Sequence, residues 1–176
     1  MGDIKKLIRT IPNYPKEGIM FRDITTLLKD PTGFQNTINL LITKYKDAPI
    51  DYIAGIEARG FILGSALAFA LGKGFIPVRK KGKLPGKTIT QSYDLEYGSD
   101  TIEIHEDALK KGESILLIDD LIATGGTALG AIALIEKCGG VIYETAFVVD
   151  LPELGGAQKI LNQGHKVFSL CSFEGH

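Results

Sequence analysis

Residues 114–127 read SILLIDDLIATGGT, and this stretch joins a short apolar run to two acids and a glycine-rich loop. The apolar run, residues 115–118, is typical of a strand that is covered on both faces in a parallel sheet. Asp119 and Asp120 follow where that strand is expected to end. They would therefore lie at the carboxyl edge of the sheet, where open α/β folds bind ligands. As strand-end acids they are also expected to be exposed and to contribute little to stability.

The loop after the acids, ATGGT at residues 123–127, has the composition of a phosphate cradle and leads into an apolar helix pattern. Glycines let the backbone come close to an anion, and the N–H groups and dipole at a helix amino end favour negative charge. Helix capping alone explains one Thr or Asp, but it does not require two acids, two glycines and two threonines together. We therefore predict a ligand that carries a phosphate and neighbouring hydroxyls, as a ribose 5-phosphate does.

The composition is that of an ordinary globular chain. With 176 residues, 44% hydrophobic content, 23% charged content and a net charge of -1, the chain is expected to form one domain. The absence of a basic excess predicts no nucleic-acid partner, so any anion binding must be local. Residues 1–11 are too poor in apolar residues for a signal peptide, and no segment approaches membrane-spanning length. These features predict a cytoplasmic protein without a membrane partner.

Strand and helix patterns alternate along the rest of the chain. Helices are predicted at residues 3–11, 31–45, 60–71, 128–138 and 152–161, with Asp3 and Asp30 as amino-terminal caps. Strands are predicted at residues 51–56, 74–78, 115–118, 141–149 and 167–171. The alternation predicts an α/β fold with a central, mostly parallel sheet flanked by helices. Cys138 and Cys171 lack any metal-type spacing and are predicted to be reduced core thiols.

Two loops place positive charge at the same predicted edge of the sheet. Arg59 lies in a turn between a strand and a helix, where it must pair with an acid or face an anion, since an isolated buried charge is costly. Glu57 is one candidate partner. Residues 79–87, RKKGKLPGK, concentrate five cations. Such a run is usually a solvated surface, but its position after the strand at residues 74–78 favours anion binding.

Residues 88–104 alternate polar with apolar and aromatic residues, which predicts two extended arms around the sequence YDLEYGSD at residues 93–100. A simple hairpin explains this pattern. A flexible insertion between two core strands also suits an active-site lid, because closure would exclude water from a reactive intermediate.

Five motifs, taken in order, resemble those of the type I phosphoribosyltransferases, and of the adenine-specific branch in particular. They are MFRDIT, EARGF, RKKGKLPG, YDLEYG and ILLIDDLIATGGT. The resemblance covers almost the whole chain and implies a single domain over residues 1–176, with an amino-terminal hood that binds the base at residues 1–30 and a flexible catalytic lid at residues 79–105. It also implies a cis peptide bond between Glu57 and Ala58.

The same resemblance implies a role for each candidate site residue. The catalytic residues would be Glu96 and Tyr97, and the ribose hydroxyls would be held by Asp119 and Asp120. The 5-phosphate would be bound by Ala123, Thr124, Gly125, Gly126 and Thr127. The pyrophosphate would be bound by Arg59, Arg79, Lys80 and Lys83, and the adenine by Met20, Phe21, Arg22 and Leu151.

The implied reaction joins adenine to the phosphoribosyl group of phosphoribosyl pyrophosphate, giving AMP and pyrophosphate in purine salvage. Mg²⁺ is the implied cofactor, held mainly by the substrate's own oxygens, and a homodimer is the implied assembly. Two alternatives stay open. One is a transferase for guanine, hypoxanthine or xanthine. The other is a regulator that binds phosphoribosyl pyrophosphate without turnover, for which a DNA-binding domain is expected and no such segment is predicted.

Overall fold

A computed structural model describes residues 3–175 and shows an α/β fold. The strands are β1 (Arg9–Pro12), β2 (Met20–Asp23), β3 (Tyr52–Ile56), β4 (Gly74–Lys80), β5 (Thr88–Asp94), β6 (Ser99–His105), β7 (Ser114–Ile122), β8 (Val141–Asp150) and β9 (Val167–Ser172). The α-helices are α1 (Thr25–Lys29), α2 (Pro31–Tyr45), α3 (Arg59–Leu71), α4 (Gly126–Lys137) and α5 (Gly156–Asn162). Short 3₁₀ turns cover Ile4–Leu7 and Pro152–Leu154.

A seven-stranded sheet in the order β5-β6-β4-β3-β7-β8-β9 forms the centre of the molecule. Within the part of the sheet ordered β4-β3-β7-β8-β9, all five strands are parallel to one another. Strand β6 runs antiparallel to both β4 and β5, so the predicted arms at residues 88–104 form a hairpin on one edge. The prediction of a mostly parallel sheet flanked by helices is confirmed.

Strand β7 lies inside the sheet and is covered on both faces, as its apolar run predicts. Ile115 and Leu117 pack on the face that α4 covers, whereas Leu116 and Ile118 pack on the face that α2 and α3 cover. All four side chains are fully buried, and each such burial contributes roughly 1.5–3 kcal/mol to folding. This anchoring fixes the position of the residues that follow in β7.

The predicted helix at residues 3–11 is wrong beyond its first turn. Asp3 does cap that turn, since its side chain accepts a hydrogen bond from the Lys5 N–H at 3.2 Å. The Thr26 hydroxyl then donates to the Leu7 carbonyl (2.6 Å) and accepts from the Arg9 N–H (3.2 Å), and so takes the groups that would continue a helix. The chain instead continues as β1, which pairs with β2 in a separate two-stranded sheet.

Several other boundaries differ from the predictions, and two of these differences are the largest. Strand β7 continues to Ile122, so both acids belong to it rather than following its end. The predicted helix at residues 152–161 is divided, because Gly155 has a φ of 75° and separates a 3₁₀ turn from α5. Helix α2 begins and ends at the predicted residues, and the Asp30 carboxylate caps it by accepting from the Gly33 N–H at 2.6 Å.

Two further predictions concern the state of the cysteines and the absence of a membrane-spanning segment. Cys138 follows the end of α4 and Cys171 lies in β9; both are free thiols and only partly buried, and burial raises the pKa of the Cys171 thiol to about 11. None of the helices within residues 3–175 combines the length and the apolar character that crossing a membrane requires.

Candidate active site

The two acids of β7 lie where one of its neighbours stops pairing with it. Pairing with β3 ends at Ile118, while pairing with β8 continues to Ile122, so Asp119 and Asp120 occupy the carboxyl edge on the β3 side. The expectation that both are exposed is wrong, because Asp120 is only 6% exposed. Its Oδ2 accepts a hydrogen bond from Arg59 Nε, which forms an ion pair. Arg59 therefore pairs with Asp120 rather than with Glu57.

Helix α3 approaches these acids closely because its second residue is Gly60. A Cβ at this position would lie 2.9 Å from the Ile118 carbonyl oxygen and 3.1 Å from Asp119 Oδ1. The close approach brings the guanidinium of Arg59 against Asp120. The peptide bond between Glu57 and Ala58, just before the helix, is cis, as the family resemblance implies.

The carboxylates and the guanidinium perturb one another. Burial is the largest cause that raises the pKa of Asp119, and the neighbouring charge of Asp120 raises it further. The Asp120 N–H also donates to Asp119 Oδ1 at 2.8 Å. Burial alone would lower the pKa of Arg59, but its bond to Asp120 and the charges of both acids outweigh burial and raise it. The site therefore holds a carboxyl with a raised pKa, that of Asp119, beside the ion pair between Arg59 and Asp120.

The glycine-rich loop forms a small cavity directly after the acids. The cavity has a volume of about 120 Å³, and its walls are Asp119 and the continuous segment of residues 121–128. Gly125 has a φ of 87°, a left-handed conformation that favours glycine, and α4 begins at the next residue. The structure therefore brings Ala123, Thr124, Gly125, Gly126 and Thr127 around one space at a helix amino end.

A second cavity, of about 220 Å³, lies on the other side of the acids. Asp119, Asp120 and Thr127 line it together with two of the predicted pyrophosphate ligands, Arg59 and Lys80. Lys80 Nζ lies 2.9 Å from Asp100 Oδ2, and this hydrogen bond raises the pKa of the lysine and lowers that of the aspartate.

The other two predicted pyrophosphate ligands do not line this cavity. The Arg79 guanidinium lies over the Phe61 ring at 5.7 Å, with Nε 3.5 Å from Glu57 Oε1. Lys83 is exposed in the turn after β4, where its N–H donates to the Lys80 carbonyl at 3.2 Å. Arg79 and Lys80 are the last two residues of β4 and Lys83 follows them in the turn, but Arg79 and Lys83 face other surroundings than Lys80 in this conformation.

The third cavity is the largest of the three, at about 580 Å³. All four predicted adenine ligands line it: Met20, Phe21, Arg22 and Leu151. Glu96, from the tip between β5 and β6, lines it as well, whereas Tyr97 is 76% exposed with Lys16 Nζ 4.5 Å from its ring centroid. The cavity thus combines apolar walls from the hood with one carboxylate from the tip.

Neighbouring residues hold the walls of this cavity in place. The Phe21 ring is met edge-on by the Tyr14 ring at a centroid distance of 5.2 Å. The Arg22 guanidinium donates to the Thr10 hydroxyl (2.6 Å) and the Glu174 carbonyl (3.3 Å), which ties the hood to the carboxyl-terminal segment. Its side chain is thereby engaged in supporting the hood.

Tyr93 and Asp100 line the 220 Å³ cavity, although sequence reasoning assigns neither a role. Tyr93 belongs to the YDLEYG motif, which is a signal that points to it. Asp100 carries no comparable signal, because its approach to Lys80 depends on the antiparallel pairing of β4 with β6, in which Lys80 faces Ile102.

The carboxyl edge of the parallel sheet carries two adjacent acids, a glycine-rich loop at a helix amino end and a large cavity with apolar walls. This arrangement is typical of a phosphoribosyltransferase. The chain belongs to the phosphoribosyltransferase family, since residues 23–168 match the phosphoribosyl transferase domain. Within that family its close relatives are adenine phosphoribosyltransferases. The protein of that name from Chlorobium luteolum is 65% identical over 174 residues, which cover 98% of each chain.

Solved structures that are similar to this chain are also adenine phosphoribosyltransferases. The adenine phosphoribosyltransferase from Thermoanaerobacter pseudethanolicus matches with a TM-score of 0.91 and 46% identity, covering 97% of this chain and 98% of that one. The enzyme of that name from Saccharomyces cerevisiae, complexed with an imino-altritol bisphosphate and adenine, matches with a TM-score of 0.88 and 42% identity, covering 95% of this chain and 96% of that one.

Proposed function

We propose that this chain transfers the 5-phosphoribosyl group of phosphoribosyl pyrophosphate to adenine, giving AMP and pyrophosphate in purine salvage. One observation carries the proposal: the acids of β7 are the shared boundary of three cavities. Asp119 lines the phosphate-sized and the 220 Å³ cavities, and Asp120 lines the 220 Å³ and the 580 Å³ cavities. When a sugar binds to these acids, its phosphate lies next to the 120 Å³ cavity and its leaving group lies next to the 220 Å³ cavity. The acceptor base then lies in the 580 Å³ cavity.

The acids and the loop bind the sugar phosphate in this mechanism. Asp119 and Asp120 accept hydrogen bonds from the ribose hydroxyls, and the residues of the loop at 123–127 bind the 5-phosphate. The anomeric carbon gains oxocarbenium character as the bond to pyrophosphate breaks. The negative charge of the acids then stabilises the transition state more than the ground state.

Cations neutralise the departing pyrophosphate. Arg59 and Lys80 already face the 220 Å³ cavity, and they are joined by Arg79 from the end of β4 and by Lys83 from the turn after it. The donor set suits Mg²⁺ carried on the substrate, because this cavity offers carboxylate oxygens, the ligand type that Mg²⁺ prefers, beside cations that bind phosphate. Bound Mg²⁺ supplies charge neutralisation on the pyrophosphate oxygens. Chelation with EDTA should abolish turnover, and excess MgCl₂ should restore it.

The base occupies the 580 Å³ cavity. Phe21 stacks on the purine, Leu151 packs on it, and the backbone of Met20 and Arg22 supplies hydrogen bonds to its edge. Glu96 takes up the proton that the base releases as N9 attacks, and Tyr97 assists as the lid closes. The adenine bound in the solved Saccharomyces cerevisiae relative supports this assignment of the base.

The larger organisation of the chain completes the proposal. Residues 1–30 act as the hood, of which residues 1 and 2 lie outside the described part, and residues 79–105 close as the lid within a single domain. The protein works in the cytoplasm as a homodimer, without nucleic acid or membrane partners. Of the described elements, α3 is the one that exposes two large apolar side chains, Ile62 (43%) and Phe69 (91%), and we assign the contact between copies to it.

The decisive experiment compares four bases at saturating phosphoribosyl pyrophosphate with Mg²⁺ present. Adenine should be consumed with equimolar release of AMP and pyrophosphate, while hypoxanthine, guanine and xanthine should react at least about a hundredfold more slowly. Preference for another purine would replace adenine as the substrate. Binding of phosphoribosyl pyrophosphate without turnover of any base would instead indicate a regulator.

A further inference from the structure

Helix α5 holds two consecutive carbonyl groups of the phosphate loop. The Gly156 N–H donates to the Ala123 carbonyl at 2.9 Å. Lys159 Nζ donates to the next carbonyl, that of Thr124, at 3.0 Å. Both donors come from α5, so two successive peptide groups of the loop are oriented by one short helix.

The fixed carbonyls determine where the loop N–H groups point. In a planar trans peptide the C=O and the following N–H point in opposite directions. The Thr124 N–H therefore points away from the Gly156 nitrogen, and the Gly125 N–H points away from Lys159 Nζ. Among the described residues none accepts a hydrogen bond from either group. Two consecutive free N–H groups in a glycine turn form an anion-binding nest, and both residues line the 120 Å³ cavity.

The loop and α5 are too close for ordinary side chains at their junction. A Cβ on Gly156 would lie 2.7 Å from the Gly125 nitrogen and would collide with the Ala123 carbonyl oxygen. A Cβ on Gly125 would lie 2.9 Å from the Gly156 Cα. The backbones of the loop and of α5 are therefore in direct contact. Lys159 is the side chain of α5 that forms a hydrogen bond to the loop.

We infer that Lys159 is a positioning residue for the 5-phosphate: by holding the Thr124 carbonyl it aims the Gly125 N–H into the cradle and adds one positive charge behind it. The inference rests on the proposed function for the identity of the ligand. Lys159 itself is exposed and lines none of the three cavities described above. Its effect must therefore pass through the loop and be specific to the phosphate end of the substrate.

Two variants and one control test this inference. Lys159→Met removes the donor and the charge, Lys159→Arg keeps both, and Lys166→Met removes an exposed lysine that lies over the Tyr143 ring, away from the loop. We would measure kcat, the KM for phosphoribosyl pyrophosphate and the KM for adenine. Calorimetry would give the affinities for ribose 5-phosphate and for pyrophosphate, which probe the two ends of the substrate separately.

Lys159→Met should raise the KM for phosphoribosyl pyrophosphate and weaken ribose 5-phosphate binding, each by about threefold to tenfold. Pyrophosphate affinity and the KM for adenine should stay unchanged, Lys159→Arg should restore binding to within about twofold, and Lys166→Met should match the parent protein. Unaltered ribose 5-phosphate affinity in Lys159→Met, an equal loss for pyrophosphate, or failure of Lys159→Arg to restore binding would overturn the inference. Because ribose 5-phosphate binding is measured without turnover, this result is separate from any failure of adenine transfer.

Discussion

The two adjacent carboxylates of β7 are expected to affect stability in opposite directions. Burial and the charge of Asp120 raise the pKa of Asp119, so the folded protein keeps a proton there at pH values at which the unfolded chain has released it. The free energy of unfolding therefore falls as the pH rises from the ordinary carboxyl pKa to the raised pKa. At pH values above the raised pKa, the loss in free energy of unfolding is complete. Once ionised, Asp119 is therefore a destabilising residue in the folded protein.

Asp119→Asn should remove this cost. We expect its melting temperature to exceed that of the parent protein at pH values above the raised pKa, and the gain to disappear at low pH, where both proteins are uncharged at this position. Turnover should fall by about tenfold or more, because the asparagine lacks the charge that favours the transition state. Thermal melts across this pH range, with an AMP-formation assay, check both parts. A gain that does not change with pH would contradict the explanation.

Asp120→Asn should act in the opposite direction, because it removes the negative charge that pairs with Arg59. We expect the free energy of unfolding to fall by about 1–2 kcal/mol, less than for a fully buried pair since the Arg59 side chain is 42% exposed. Chemical denaturation of both asparagine variants at the same pH makes the comparison. Equal stability of the two variants would exclude the distinction drawn here between the acids.

Glu96 is the candidate for proton transfer at the base. Its side chain lines the 580 Å³ cavity at the tip of the β5–β6 hairpin, and this is the cavity in which we propose that the base binds. Glu96→Gln should slow adenine transfer by a factor on the order of 10². The rate should be followed across pH with Asp94→Asn, an exposed acid two residues earlier in the chain, as the control for lost charge. A normal rate for Glu96→Gln at every pH would limit Glu96 to positioning.

At the scale of elements, the close contact of α3 with β7 positions Arg59. Gly60→Ala would place a methyl group 2.9 Å from the Ile118 carbonyl oxygen, and backbone cannot yield there without moving the helix. We expect a loss of about 1–3 kcal/mol in the free energy of unfolding and a higher KM for phosphoribosyl pyrophosphate. Ser65→Ala, at an exposed position of the same helix, is the matched control. Parent-like values for Gly60→Ala would show that the helix moves freely.

Elements with strong local signals were predictable from the sequence. Helix α2 has helical periodicity and a cap at Asp30, and its predicted bounds agree with the structure. The end of the first turn and the start of β1 were not predictable from local sequence. There the Thr26 hydroxyl, from a distant position in the chain, forms hydrogen bonds with the backbone groups of Leu7 and Arg9. The site divides in the same way. The contiguous acids and loop were readable, whereas the bond between Lys80 and Asp100 depends on strand pairing.

At the scale of the whole molecule, α3 has an exposed apolar face that includes Phe69, the most exposed of the large apolar side chains in the described residues. Ile62 and Phe69 are seven residues apart and therefore share one face of the helix. An apolar ring that is 91% exposed costs less when a second copy covers it. The same helix carries Arg59 at its first residue, so packing between copies would also steady the site.

Sedimentation velocity tests this assembly. The parent protein should sediment as a dimer of 19.0 kDa chains, and Phe69→Lys should shift it to the monomer at micromolar concentration, because a charge buried in an apolar contact is costly. Val141→Lys, which replaces another exposed apolar residue (54%) in β8, should leave the dimer intact. A monomeric parent protein, or a Phe69→Lys variant that stays dimeric, would remove α3 as the contact surface. If the dimer steadies Arg59, the Phe69→Lys monomer should also show a raised KM for phosphoribosyl pyrophosphate with the KM for adenine unchanged.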